Sequence, residues 1–175
     1  MLAATPPPHF AGHSLTPPTR PAEFRLHDQD GRVVTLRGER GKVVLITFLY
    51  THCPDVCPLI ATHLDTALRD LGPARAKVRV LAISVDPTGD THASVRTFIH
   101  AHRLVPQFRY LTGTARELRP VWAAYHLQIV PGNLEVVDHT AYILLVDRSG
   151  HGRALYDPQV RASSIAHDVT ILSRG

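Results

Sequence analysis

Cys53 and Cys57 are the only two cysteines in a chain of 175 residues, and they stand four positions apart in THCPDVCP, residues 51–58. A chain of this length buries roughly 70 % of its unfolded surface. It needs no disulfide to stay folded, and two cysteines do not make a disulfide scaffold. The pair therefore calls for a chemical explanation. Filling core volume is the ordinary fate of free cysteines, but these two lie in a loop between an apolar run and a helical pattern. Three effects there favour thiolate: the positive end of the following helix, the unpaired N–H groups of its first turn, and burial that stays partial.

Two chemistries suit such a pair. A redox dithiol is commonly spaced Cys-x-x-Cys. Here three residues intervene, though residues four apart in a helical turn can still approach bonding range. Two thiolates can instead converge on a soft metal ion. With an added imidazole they favour Cu(I), and also hold Zn(II) or Cu(II). Spacing alone leaves both open. The chain has twelve histidines. One of them, His139, stands in Asp138-His139-Thr140 immediately before the apolar run AYILLV. In a sheet of the thioredoxin type the loop before that strand faces the cysteine turn, so His139 is a candidate third ligand; a loop histidine touching water is the plainer alternative. His52 is read as a packing residue of the turn, and His63 as lying on the polar side of its helix. His100 and His102, two apart on a helix, do not face each other. His9 and His13 in the tail are sites for adventitious metal.

The elements that must position these residues follow from pattern. Residues 1–21 hold six of the fourteen prolines and one aromatic, Phe10. They are expected to be a flexible, extended tail or linker, with the folded domain over residues 22–175. Residues 24–36 predict a hairpin turning at Asp30-Gly31. VVLITFLY (43–50) and VRVLAISV (78–85) are continuous apolar, β-branched runs that suit strands buried on both faces. AYILLV (141–146) predicts a third strand, and residues 153–156 an edge strand. Residues 58–71 place Ile60, Leu64, Ala67, Leu68 and Leu71 on one helical stripe, with Pro58 suited to the first helical position. Asp90 or Thr91 can cap a second helix carrying Val95, Phe98, Ile99 and His102. Thr114 and Glu117 form a capping-box pattern for a third helix running to about residue 126, with a kink or restart expected at Pro120. A last helix is expected over residues 159–172. Buried strands alternating with helices give an α/β fold. In such folds sites gather at the carboxyl ends of strands, where Cys53 and Cys57 stand.

Composition excludes other classes. A net charge of +4 with dispersed arginines is too mild to argue for nucleic acid. No run of 18 apolar residues exists, so no membrane span is predicted. The start MLAATPPPHFAGHSL lacks the charged and apolar regions of a signal peptide.

TFLYTHCPDVCP, AISVDPTGDT, LTGT and VVDHTAYILLVDRSG, in this order and spacing, closely resemble the Sco/SenC family, thioredoxin-fold copper chaperones of cytochrome c oxidase assembly. The resemblance covers about residues 22–172. It implies an α/β, thioredoxin-like fold, with a central mixed sheet flanked by helices and an added N-terminal hairpin. It implies Cys53, Cys57 and His139 as copper ligands, with His139 where an ordinary thioredoxin has a cis-proline. It places Asp86 of SVDP close behind the ligands, where its plainer role is to end a strand ahead of Pro87. The implied activity is binding of copper, Cu(I) and also Cu(II), and its delivery to the binuclear copper site of cytochrome c oxidase subunit II. The donor would be another copper chaperone or a thiol–disulfide reductase. The implied location is the periplasmic, outer face of a bacterial inner membrane, reached through an anchor that this chain does not contain. Two departures stand out: the missing anchor helix, and a segment 128–137 shorter than in many members. The same residues would serve the alternatives, a thiol–disulfide oxidoreductase with Cys53 and Cys57 as redox dithiol, or a redox or copper sensor. A peroxidase of the related thioredoxin-fold enzymes fits less well, because a single nucleophilic cysteine with an activating arginine would be expected.

Overall fold

The computed structural model describes residues 8–130 and 141–174. A six-stranded mixed sheet forms the centre, in the order β1-β8-β7-β4-β5-β6. The apolar runs become β4 (Val43–Leu49) and β5 (Val78–Ser84), paired in parallel from Val43↔Val78 to Leu49↔Ser84. All seven residues of β4 are buried. That is the pattern of a strand covered on both faces. Next to β5 lies β6 (Phe108–Leu111), also parallel. On the other side, β7 (Ile143–Val146) runs antiparallel to β4, and β8 (Gly152–Tyr156) antiparallel to β7. The predicted hairpin forms as a separate two-stranded sheet, β2 (Arg25–His27) with β3 (Val33–Thr35). Asp28 organises its turn by accepting the N–H groups of Asp30 and Arg32, both at 2.9 Å.

Among the described residues four α-helices complete the fold: α1 (Val56–Asp70), α2 (His92–Ala101), α3 (Ala115–Ala124) and α4 (Ala162–Ser173). Helix α1 starts two residues before Pro58. Proline is tolerated there because first-turn N–H groups have no intrahelical partner. The capping box of α3 is present, with Thr114 and Glu117 exchanging side-chain bonds to each other's backbone N–H. Pro120 neither breaks nor restarts that helix; it is exposed, and the helix runs continuously past it. Thr91, not Asp90, caps α2 by accepting from Ser94 N–H. Helix α4 begins three residues later than expected, after Arg161.

The expectation of a flexible tail over residues 1–21 is corrected within its described part. Residues 13–19 form β1 (His13–Thr19), which pairs antiparallel with β8, so β8 is not the edge of the sheet. β1 is almost wholly exposed and polar, with Pro17 and Pro18 in it. An edge strand tolerates proline because only one side needs ladder hydrogen bonds. The preceding residues are tied down as well. Phe10 is buried, and the Arg153 guanidinium lies 5.6 Å from its ring centre. The N–H groups of Ala11 and Gly12 donate to the carboxylate of Asp168 at 2.8 and 3.0 Å. Pro8 shares a surface hollow with Gly41, Asp147 and Ser149, at the start of β4 and the end of β7.

Candidate metal centre

β4 delivers the chain to its carboxyl end, where Tyr50 is still buried, and Cys53 N–H turns back to Tyr50 O at 3.3 Å. Helix α1 then begins at Val56 with Asp55 at its cap position, but the Asp55 side chain caps nothing. The sulfur of Cys53 takes over: the Cys57 N–H, one of the orphan donors of the first turn, donates to Cys53 Sγ at 3.3 Å. Both cysteines are buried and unbridged, Cys53 at 5 % exposure and Cys57 at none. The Cys53 thiol is lowered to about 6 from an ordinary 9.0. The largest cause is a hydrogen bond from the Cys57 side chain, aided by the N–H groups of Asp55 and Cys57 and by Tyr50, all working against burial. The arrangement offers one ready thiolate and one neighbouring thiol on a single turn. That donor set suits a soft metal ion, and equally a dithiol.

A carboxylate holds this turn in place. Asp90, 5 % exposed, accepts from Thr51 N–H at 2.8 Å, Ser84 Oγ at 2.6 Å and the Tyr110 hydroxyl at 2.9 Å. It thereby joins residues at the carboxyl ends of β4, β5 and β6, and burial raises its pKa above the usual carboxylate range. Sequence reasoning saw Asp90 only as a possible helix cap. Its place inside SVDPTGDT, six residues past the end of β5, is the available signal.

Asp86 lies at the end of β5, half-buried, with Oδ1 accepting the Gly89 N–H at 3.0 Å. His52 is exposed, not a packing residue as expected, with Nδ1 3.2 Å from Thr51 Oγ1. Asp86, Asp90 and His52 each bring a ligand-type atom within 4.8 Å of the others. Gly89 makes room for them. A Cβ there would overlap the Asp86 carboxylate and come within 3.3 Å of His52 Nδ1. The structure thus gathers Cys53, Cys57, His52, Asp86 and Asp90 at one end of the sheet. His139, with its Asp138-His139-Thr140 setting, lies outside the described residues. The aromatic rings of Phe48, Tyr125 and Tyr142 pack under this end, with centroids 5.5 and 5.6 Å apart. Tyr142 also donates to Tyr125 O at 2.8 Å, fixing the start of the strand that follows residue 140.

A family model described as SCO1/SenC matches residues 14–173. The chain belongs to the SCO1/SenC family. It is 32 % identical over 154 residues to the mitochondrial SCO2 homolog of Bos taurus, covering 84 % of this chain and 57 % of that protein. To the mitochondrial SCO1 homolog of Homo sapiens it is 31 % identical over 160 residues, covering 83 % and 50 %. The chain thus spans about half the length of the curated relatives it matches. Among solved structures, Bradyrhizobium japonicum ScoI with copper bound aligns with a TM-score of 0.72 and 29 % identity, covering 88 % of this chain and 99 % of that one. The solution structure of apo Sco1 from Thermus thermophilus aligns at 0.74 and 27 %, covering 96 % and 99 %. BsSco, described with a disulfide switch as a member of the Sco family of cytochrome c oxidase assembly proteins, aligns at 0.75 and 25 %, covering 90 % and 95 %. This SCO1/SenC chain therefore has the mixed, helix-flanked sheet of the thioredoxin-like Sco structures, as expected. The match from residue 14 also takes in β1, which lies outside the domain expected over residues 22–175.

Proposed function

We propose that this chain binds copper through Cys53, Cys57 and His139 and delivers it to the binuclear copper site of cytochrome c oxidase subunit II, at the periplasmic face of a bacterial inner membrane. The observation that carries the reading is the cysteine turn itself. Two sulfurs share one helix start, and one of them is lowered to about 6. The copper-bound ScoI relative and the oxidase-assembly role printed for BsSco support it. Copper is cargo here. Bound, it would supply the exchangeable ion, while the protein's own residues release thiol protons, hold the turn rigid and present the sulfurs. Asp90 does the holding, and Asp86 stands behind, near His52. The test is a copper titration under anaerobic, reducing conditions. Wild type should bind one equivalent tightly, Cys53→Ser and Cys57→Ser should lose tight binding, and His139→Ala should weaken it while leaving a dithiol that still oxidises. Unchanged affinity in His139→Ala would remove His139 from the ligand set.

A second reading, reduction of the acceptor's copper-site cysteines, is favoured by one observation: the Cys57 side chain already donates to Cys53, as in a dithiol prepared for exchange. Mixing the reduced, metal-free protein with a disulfide-bonded acceptor and counting thiols ranks it against copper transfer.

A further inference from the structure

At the cysteine end of the sheet, an open groove of about 600 Å³ runs between the segment after β5 and helix α3. Its inner wall is apolar: Val85, Trp122 and Leu127 are all buried, and Val130 stands at the rim 48 % exposed. The one donor of the Trp122 ring is taken by Ser84 O at 2.9 Å, so the indole offers the groove only apolar surface. Among the described residues two charged side chains line it, Asp86 and Arg119. Among the described residues Arg119 has neither an ion pair nor a hydrogen bond, while Asp86 already accepts the Gly89 N–H. An apolar trough with one unpaired guanidinium fits an extended polypeptide carrying apolar side chains and a carboxylate, which the planar fork of arginine matches. One cation is too little charge for a nucleic acid or an anionic membrane surface.

Position narrows the occupant. Val85 N–H donates to Leu49 O at 3.0 Å, so the groove wall abuts the strand that leads to Cys53. Asp86 lies beside His52, the residue before Cys53. Exchange of cargo at Cys53, itself only 5 % exposed, needs another protein's ligands pressed closely against the turn. We propose that this groove seats the acceptor, through an acidic–apolar segment flanking its own metal-binding cysteines, whose carboxylate pairs with Arg119. The proposal rests on the copper-delivery reading for the identity of the acceptor.

The experiment titrates the reduced protein with the soluble copper-binding domain of cytochrome c oxidase subunit II in a calorimeter, for wild type, Arg119→Ala, Arg119→Glu and Val130→Asp. Arg119→Glu should weaken the complex by about tenfold or more and Arg119→Ala by less, with a shallower salt dependence in both. Melting temperature and the Cu(I) affinity of the isolated variants should stay unchanged, since none of these residues is among the proposed ligands. Equal binding by all variants overturns the proposal, as does wild type that fails to bind. So does a wild-type dimer in sedimentation that Arg119→Glu dissolves, which would make a second copy the occupant. Binding that depends on Arg119 without copper movement keeps the groove and removes the delivery reading. Copper transfer at the same rate in Arg119→Glu does the reverse.

Discussion

At the scale of single residues, the cysteine turn is a small proton-sharing device. Cys57 donates both its N–H and its thiol toward Cys53, and these bonds outweigh the burial of a sulfur only 5 % exposed. The Cys53 thiolate should therefore appear with a midpoint near pH 6, followed by thiolate absorbance near 240 nm. In Cys57→Ala the midpoint should move up, since the largest lowering cause is gone. The sign for stability follows: a pKa depressed from 9.0 to about 6 favours the folded state at alkaline pH. That contribution is complete above about 9 and is lost as pH falls through about 6. Gly89 makes a sharper case. Its backbone is ordinary, so only space requires glycine. Gly89→Ala should displace the Asp86 carboxylate and perturb the His52 ring. The check is the His52 proton resonances, which should shift while those of residues at the far end of the sheet stay in place.

At the scale of elements, the fold is fastened by buried carboxylates as well as by its apolar core. Asp168 is fully buried and accepts from Ala11 and Gly12 N–H, the Tyr156 hydroxyl at 2.8 Å and His167 Nδ1 at 2.8 Å. This holds the segment before β1 onto α4 and β8. Asp168→Ala removes the shared acceptor and leaves the buried Tyr156 hydroxyl without a partner, at a cost on the order of 2 kcal/mol. Amide exchange should show β1 losing protection while β4 and β5 keep theirs. If β1 stays protected, its ladder with β8 is sufficient without the clamp. Asp65 plays a similar part under α1, accepting Val105 N–H at 2.8 Å and pairing with Arg69.

At the scale of the whole molecule, the proposed copper site requires two thiols to lose protons, so apparent copper affinity should rise with pH. The rise should be shallower above pH 6, where Cys53 is already ionised, than below it, as competition with a chelator across pH would show. The same scale shows what could be read in advance. The strands that carry the site were legible because VVLITFLY and VRVLAISV are buried on both faces and leave no polar alternation. The capping box of α3 was legible because its two residues act locally. β1 was not. HSLTPPT joins the sheet through backbone alone and buries almost no side chain, so hydrophobic patterning cannot see it. Asp90 and Asp168 were hidden for the converse reason. Periodicity marks apolar residues as core, whereas each of these is held by partners that come from three separate stretches of chain. Of the site, the cysteines were visible from spacing, but the Asp90 brace and the room left by Gly89 exist only once three strands lie side by side.

The path of the first described residues sets a direction for the molecule. Pro8 lies by Gly41, at the foot of β4, while Cys53 follows its top. The seven residues of β4 separate the two by roughly 20 Å. Any chain joined ahead of Pro8 therefore grips the domain by its base, and the cysteines ride at the opposite pole. Such a handle swings the working end outward, clear of whatever the handle is fixed to, and leaves that end open to a partner approaching from the far side.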